Sequence, residues 1–304
     1  MITLKTIFTF FYACFLTFFI PGIASAQLTL TAIDIGQGDA VLVQHESYAI
    51  LIDGGRPNDL VADYLKDQDV SQINLMIATH AHADHVGGLI GVLNKKEVDQ
   101  VWYNGQTHTT LTFERFIDAV LESEAKYHEP SRGEMISFGE MDIQVLHPED
   151  SAADYEGHLH DKNIVIRIVY GDFAAIISGD IERNGELEIL ASGIDVSAQV
   201  LELGHHGSRT SSHPEWLKAV APELAFWQSG DGNRYGYPHQ EIFVDLDYLG
   251  ISAIGTDTHG TIRIIADKDG TFSVETERQS DVTISVNRSS LTLQSYALRL
   301  SFNQ

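Results

Sequence analysis

The sequence predicts a layered α/β fold built as two similar halves, and two observations carry that prediction. Short apolar runs alternate with helix-spaced apolar patterns along most of the chain, the arrangement of strands packed under helices. The same order of elements then occurs twice. In the first series, Leu28 to Ile35, Ala40 to Val43 and Ala49 to Ile52 read as three consecutive strands divided by turn residues. Leu60 to Gln68 reads as an amphipathic helix, and Leu75 to Ala78 as a buried strand ending at Thr79-His80. Phe113, Phe116, Ile117, Val120 and Leu121 recur on one face of a helix over Thr112 to Ala125. Glu134 to Leu146 has the alternation of a hairpin, and Glu149 to Asp161 is polar and loop-like.

The second series opens with strands Ile164 to Tyr170 and Phe173 to Ser178, then a helix through Glu186 to Leu190. Strand Ala198 to Leu203, helix Glu215 to Ala219 and strand Leu224 to Gln228 follow. A helix around Ile242 to Leu249 and strand Thr261 to Ile265 complete it. From residue 271 to 304, Val282, Ile284, Val286, Leu291 and Leu293 alternate with polar positions and read as extra strands.

The chain starts differently. Met1 to Lys5 is a short basic segment, Ile7 to Ile20 is almost wholly apolar, and Ala24-Ser25-Ala26 supplies small residues for cleavage. This is the pattern of a secretory signal peptide over residues 1–26, ahead of a catalytic domain over 27–270 and a C-terminal extension over 271–304. The apolar run falls short of the ~20 residues of a bilayer span, so export to a periplasm or medium without stable membrane insertion is expected. The lone cysteine, Cys14, lies inside the leader, which leaves histidine and carboxylate as ligands for any metal. With 43 acidic against 19 basic residues, the net charge of −24 disfavours nonspecific grip on polyanions.

Chemistry concentrates in Thr79-His80-Ala81-His82-Ala83-Asp84-His85-Val86-Gly87-Gly88, directly after a buried strand. Alternation puts His80 and His82 on one face, and the turn that follows presents Asp84 and His85 to a neighbouring point. Asp180 ends the apolar strand Ile176-Ile177-Ser178 as a shared carboxylate or as a helix cap. His205-His206 ends another strand at Leu203-Gly204. His205, the first side chain past that strand able to bind a metal, is the expected ligand, which leaves His206 to contact substrate or orient a ligand. A third ligand for the first ion is expected from His160, with His147 and His158 as rivals.

The HxHxDH string resembles the signature of the metallo-β-lactamase superfamily. That resemblance implies an αββα sandwich, with His80 and His82 on one metal and Asp84 and His85 on the other. It also implies a bridging Asp180. Five ordered motifs narrow it: Asp34 to Ala40, Leu51 to Gly55, Gly204 to Ser208, Asn233 to His239 and Gly255 to Thr261. Over about residues 28 to 266 they look like the soluble domain of ComEC, the DNA-uptake channel family, which implies phosphodiester hydrolysis. Tyr237 stands where that family usually has histidine, and the channel segments and oligonucleotide-binding domain are absent.

The expected reaction is attack by a hydroxide held on two divalent ions, zinc or manganese, oriented by Asp84. His206 or His239 would protonate the leaving group. Gln37, Asp39, Ser208, Arg209, Asn233 and Arg234 would bind a phosphodiester such as DNA, although Gln37, Asp39, Asn233 and His239 are also turn-building residues. Two other readings stay open. One is a carboxyl-ester, lactone or β-lactam hydrolase; the other is a non-catalytic module of a DNA-uptake or envelope assembly. The leader makes a direct prediction: mass spectrometry of the exported protein finds Gln27 at its N-terminus. Full-length chain recovered from membranes would refute cleavage.

Overall fold

The computed structural model describes residues 27–278. The leader, and the alternation from Val282 to Leu293, lie outside the described residues. Two mixed sheets face one another. The first has eight strands in the order Phe272–Thr276, Ile262–Ala266, Leu28–Ala32, Val41–His45, Tyr48–Ile52, Leu75–Ala78, Gln100–Tyr103 and Lys126–His128. The second has seven: Ser252–Gly255, Leu224–Trp227, Val200–Glu202, Phe173–Ile177, Val165–Tyr170, Met141–His147 and Met135–Phe138. Each sheet is an antiparallel meander continued by parallel strands, so the two halves repeat one plan, the order read from the sequence.

Side-chain alternation explains the layering. Leu28, Leu30, Val41, Val43, Ile50, Ile52, Leu75 and Ile77 point inward and meet Ile143, Ile166, Ile168, Ala175 and Ile177 of the facing sheet. Their neighbours Leu42, Leu51, Met76 and Val101 point outward, against helices Leu60–Asp67, Leu89–Lys95 and Leu111–Glu122. On the opposite side, Ile176, Leu201 and Ala225 pack under helices Arg183–Ser192, Pro214–Val220 and Gln240–Leu249. With both faces buried, the central strands are continuous apolar runs, which is why they were legible as strands.

Several elements differ from expectation. Gln100–Tyr103, Lys126–His128 and Ser252–Gly255 are strands that no sequence pattern marked. Lys126–His128 is three residues long, exposed throughout and sits at a sheet edge, so it lacks an apolar period altogether. The extra strand expected past residue 270 is present in the first sheet, where Phe272–Thr276 pairs with Ile262–Ala266 along its length. Among the described residues no helix is long and apolar enough to cross a membrane.

One close approach fixes the geometry around the histidine-rich turn. Gly54 N–H donates to His85 O at 2.7 Å, and Gly88 N–H donates to Gly55 O at 3.0 Å. The loop after Tyr48–Ile52 is thereby clamped to the segment that carries Asp84 and His85. A Cβ on Gly88 would lie 1.9 Å from Gly54 O, closer than atoms can approach. Gly88→Ala is therefore expected to destabilise the fold by about 1–3 kcal/mol or more, as overpacking does. A thermal melt unchanged from wild type would show that this clamp is dispensable.

Candidate metal centre

Parallel pairing brings the carboxyl ends of several strands to one edge of the sandwich. Ile52 pairs with Ile77, and Ile176 with Leu201, so the residues following each of these strands meet there. Ligand sites in α/β sheets gather at such ends. Here the edge collects His80 and His82 from one half and Asp180, His205 and His206 from the other. A short turn, Leu159–Lys162, adds His160.

Asp180 is the hub. It is 2% exposed, and its two oxygens face different partners. Oδ2 lies 3.5 Å from His80 Nε2 and 3.3 Å from His160 Nε2. His82 Nδ1 completes this group, 2.8 Å from His80 Nε2 and 3.1 Å from His160 Nε2. Oδ1 lies 3.3 Å from His85 Nε2 and 3.6 Å from His206 Nε2. Asp84 Oδ2, 3.8 Å from His206 Nε2, faces the second group from its exposed side.

The outer nitrogens explain which atoms face inward. His85 Nδ1 donates to Asp53 Oδ2 at 2.7 Å, and His206 Nδ1 to Asp39 Oδ1 at 3.0 Å. Thr79 Oγ1 donates to Asp53 at 2.6 Å, so the same oxygen is left to accept from His80 Nδ1 at 3.1 Å. His160 Nδ1 lies 3.4 Å from Glu182 Oε1. With each Nδ1–H committed outward, four Nε2 lone pairs converge on one carboxylate. Lone pairs facing a carboxylate repel unless a proton or a metal ion lies between them. Two of the atoms concerned, His85 Nε2 and Asp180 Oδ1, are buried without any hydrogen-bond partner. The donor set, nitrogen and oxygen without sulfur, suits divalent zinc or manganese, and these residues fit such ions.

Electrostatics agree with that fit. Burial pushes His80 well below the usual imidazole range, with His85 adding to the fall, and takes His82 down to about 4 with help from His160. At His85 burial is outweighed by Asp180 and Asp53, which hold it well above its usual value. At His206 burial is likewise outweighed, and Asp39 and Asp180 lift it to about 9. Asp180 stays well below the carboxylate range despite burial, because His85, His206 and His205 surround it. A bound cation would take the place of the protons that Asp180 otherwise draws onto these rings.

The expected site residues sort themselves accordingly. His80, His82, Asp84, His85, His160 and Asp180 come together at this edge. His147 does not: it is buried elsewhere against Asn163 O. His158 accepts from His160 N–H at 3.4 Å and lines a neighbouring cavity. The expectation for the histidine pair changes, since His206 Nε2 faces the second group at Asp180 Oδ1, while His205 Nε2 lies 3.8 Å from Asp180 Oδ2, on the side of His160 and Glu182. The backbone gives the reason. His205 and His206 both adopt left-handed φ, 52° and 59°, so strand alternation ends before them and the second ring swings inward. His205 Nε2 also meets Tyr237 OH at 3.0 Å.

Asp39 and Ser208 are buried, so Asp39 orients His206 and is shut off from any substrate. Asn233 makes four bonds within its own loop, and His239 accepts from Arg209 N–H at 3.1 Å, away from both metal groups. Arg209 and Arg234 stay exposed. Gln37 holds a buried side-chain amide with no partner. Asp53 and Glu182 were not expected at the site. Asp53 stood in the Leu51 to Gly55 motif, and its position one residue past a strand beside Leu75–Ala78 was the available signal. Beyond the first group opens a cavity of about 620 Å³, lined by His82, His108, Asp154, Glu156 and His158 among others. A groove of about 560 Å³ at Asp34, Leu60 and Asp63 contains no histidine.

Fold and site together define a metal-dependent hydrolase class. Residues 33–226 match the metallo-beta-lactamase superfamily, and the chain belongs to it. Its curated relatives include ComE operon protein 3 of Bacillus subtilis, 29% identical over 86% of this chain and 36% of the relative. Competence protein ComA of Neisseria gonorrhoeae is 27% identical over 78% of this chain and 32% of its own length. Recombination protein 2 of Haemophilus influenzae is 24% identical over 86% of this chain and 32% of its own. The chain thus spans about a third of the length of these relatives. Among solved structures, a mutant of the CmlA beta-hydroxylase shares the fold at TM-score 0.52 and 14% identity, covering 78% of this chain and 53% of that one. The metallo-beta-lactamase fold protein YhfI of Bacillus subtilis does so at 0.51 and 12%, covering 75% and 95%.

Asp53 provides a test that separates ligand orientation from ligation. Asp53→Ala is expected to weaken retention of the ion at the second group by about 10–100-fold, as loss of a ligand's hydrogen-bonded carboxylate does. Metal content after dialysis against a graded chelator reads this; full retention would sink the assigned role of Asp53.

Proposed function

We propose that this chain is an exported phosphodiesterase that depends on two divalent ions. The observation that carries the reading is Asp180, whose two oxygens face two adjoining groups of metal-capable side chains at the open edge of the fold. His80, His82, His160 and Asp180 would hold one ion, and Asp84, His85, His206 and Asp180 the other. Such ions supply a nucleophile at neutral pH, by lowering the pKa of bound water, and neutralise charge developing on the attacked phosphoryl group.

The chain's own residues supply the rest. Asp84 is the partly exposed carboxylate at the second group, placed to orient the attacking water and accept its proton. His205 and Tyr237 form a bonded pair on the solvent side, with His205 Nδ1 3.2 Å from Glu182 Oε1. Burial and Asp180 raise the Tyr237 hydroxyl, so it keeps its proton at neutral pH and can donate to a leaving oxygen. Arg209 and Arg234 stand exposed on the loops beside this pair and can grip phosphate oxygens. Support for a phosphodiester over a lactone or β-lactam comes from these cations and from two relatives named for competence and recombination. Export rests on the leader pattern of Met1 to Ala26 alone.

The test supplies zinc or manganese and measures hydrolysis of bis-p-nitrophenyl phosphate, DNA and a lactone. Both diesters are expected to turn over, with Asp180→Ala lowering kcat/KM by at least about a hundredfold. Because the surface is so acidic, added salt should depress DNA cleavage only modestly. Lactone hydrolysis with neither diester attacked would overturn the reading.

A further inference from the structure

The metal centre is flanked on its His205–His206 side by a run of planar groups, one of which, Tyr235, has no part in the reaction scheme. The Tyr237 ring lies 5.4 Å from His205 and 5.7 Å from His206. Tyr235 stacks on Tyr237, with centroids 5.5 Å apart and planes within 16°. The Arg234 guanidinium lies 4.8 Å from the Tyr235 centroid and donates to its hydroxyl at 2.8 Å. Tyr235 is 41% exposed, and Arg234 is exposed as well.

This arrangement is built by the loop. Asn233 Nδ2 donates to Gly230 O and Tyr237 O, while its Oδ1 accepts from the N–H groups of Tyr235 and Tyr237. One side chain thus fixes both tyrosines. Around the loop, Cβ atoms added at Gly232 or Gly236 would meet nothing within 4 Å, so the loop is open at both positions. Tyr237 joins the stack to the metal centre directly, because its hydroxyl meets His205 Nε2 at 3.0 Å and its ring lies beside both His205 and His206.

We propose that Tyr235 and Arg234 form a stacking platform for an unpaired nucleobase, which makes the substrate a short, single-stranded nucleotide diester; the proposal rests on the phosphodiesterase reading above. An exposed aromatic ring layered with a guanidinium offers a flat, polarisable surface to any base, whatever its sequence. The adjacent arginines suit the anionic phosphate carried by the same nucleotide. A duplex cannot use the platform, because its bases are already stacked. Inward, the run is closed by His205 and His206, so it takes one or two bases and gives no track for a long strand. That limit matches a net charge of −24, which opposes polymer binding over any distance.

The test compares thymidylyl-thymidine with an analogue in which the bases are replaced by hydrogen, using wild type, Tyr235→Ala and Tyr235→Phe supplied with zinc. In parallel, fluorescence of a dinucleotide containing 2-aminopurine is followed with the protein in EDTA, where no turnover occurs. Wild type is expected to favour the base-bearing diester by about tenfold in kcat/KM, and to quench 2-aminopurine on binding. Tyr235→Ala should lose both the preference and the quenching, and Tyr235→Phe should keep both. Equal kcat/KM on the two diesters, or a preference that survives in Tyr235→Ala, would overturn the platform while leaving phosphodiester hydrolysis intact. Tyrosine-dependent quenching with no diester hydrolysed would do the reverse, retaining the platform and removing the catalytic reading.

Discussion

A carboxylate sealed from water among ring nitrogens is the constraint on which the rest of this molecule depends. Asp180 is 2% exposed, and one of its oxygens has no hydrogen-bond partner. Burying such a charge is costly unless something positive stands beside it. Its backbone N–H donates to Asn163 Oδ1 at 3.0 Å, which ties down the strand end that carries the carboxylate. Two sheets, each ending its parallel strands at the same edge, bring the histidines to it. The fold is in this sense a frame for placing negative charge and lone pairs where a cation must resolve them.

Around that centre lies a ring of acceptors that decides the chemistry of each imidazole. Asp53, Asp39, Glu182 and the Thr79 hydroxyl each face an outer nitrogen. Asp53 is itself anchored by Thr79 N–H and Oγ1–H, so the strand that delivers His80 also steadies the carboxylate that aims His85. Orientation of the ligands is thus distributed over both sheets. Disturbing a strand end far from solvent changes which nitrogen carries the proton, and that alters affinity for a cation without removing any ligand.

Much of this was readable from residues in order. His80, His82, Asp84 and His85 crowd into six positions after a buried strand, and an apolar run stopping at Asp180 is a strong sign by itself. Central strands showed as unbroken apolar segments because helices cover their outer faces. The missed parts share a cause. A three-residue exposed edge strand such as Lys126–His128 has no period to detect. The choice between His205 and His206 turned on backbone dihedrals, since two consecutive left-handed residues bring the second ring, and not the first side chain past the strand, to the second group. Asn233 spends its amide inside its own loop, as its turn-building character suggested, whereas the bonds of His239 to Arg209 and of Asp39 to His206 show only in tertiary contacts.

The segment leading into His160 has two attachments at once. Residues from Ala153 to Leu159 wall the cavity beside the first group, and the very next side chain faces Asp180. Gln106 ties this wall to the first half of the fold by donating to Tyr155 O and Gly157 O. A substitution in this wall would therefore reach the His160 ring through one residue of backbone, and with it the nitrogen aimed at Asp180. Glu182 steadies the other side of the same ring, so the wall and that carboxylate set its pose from opposite directions.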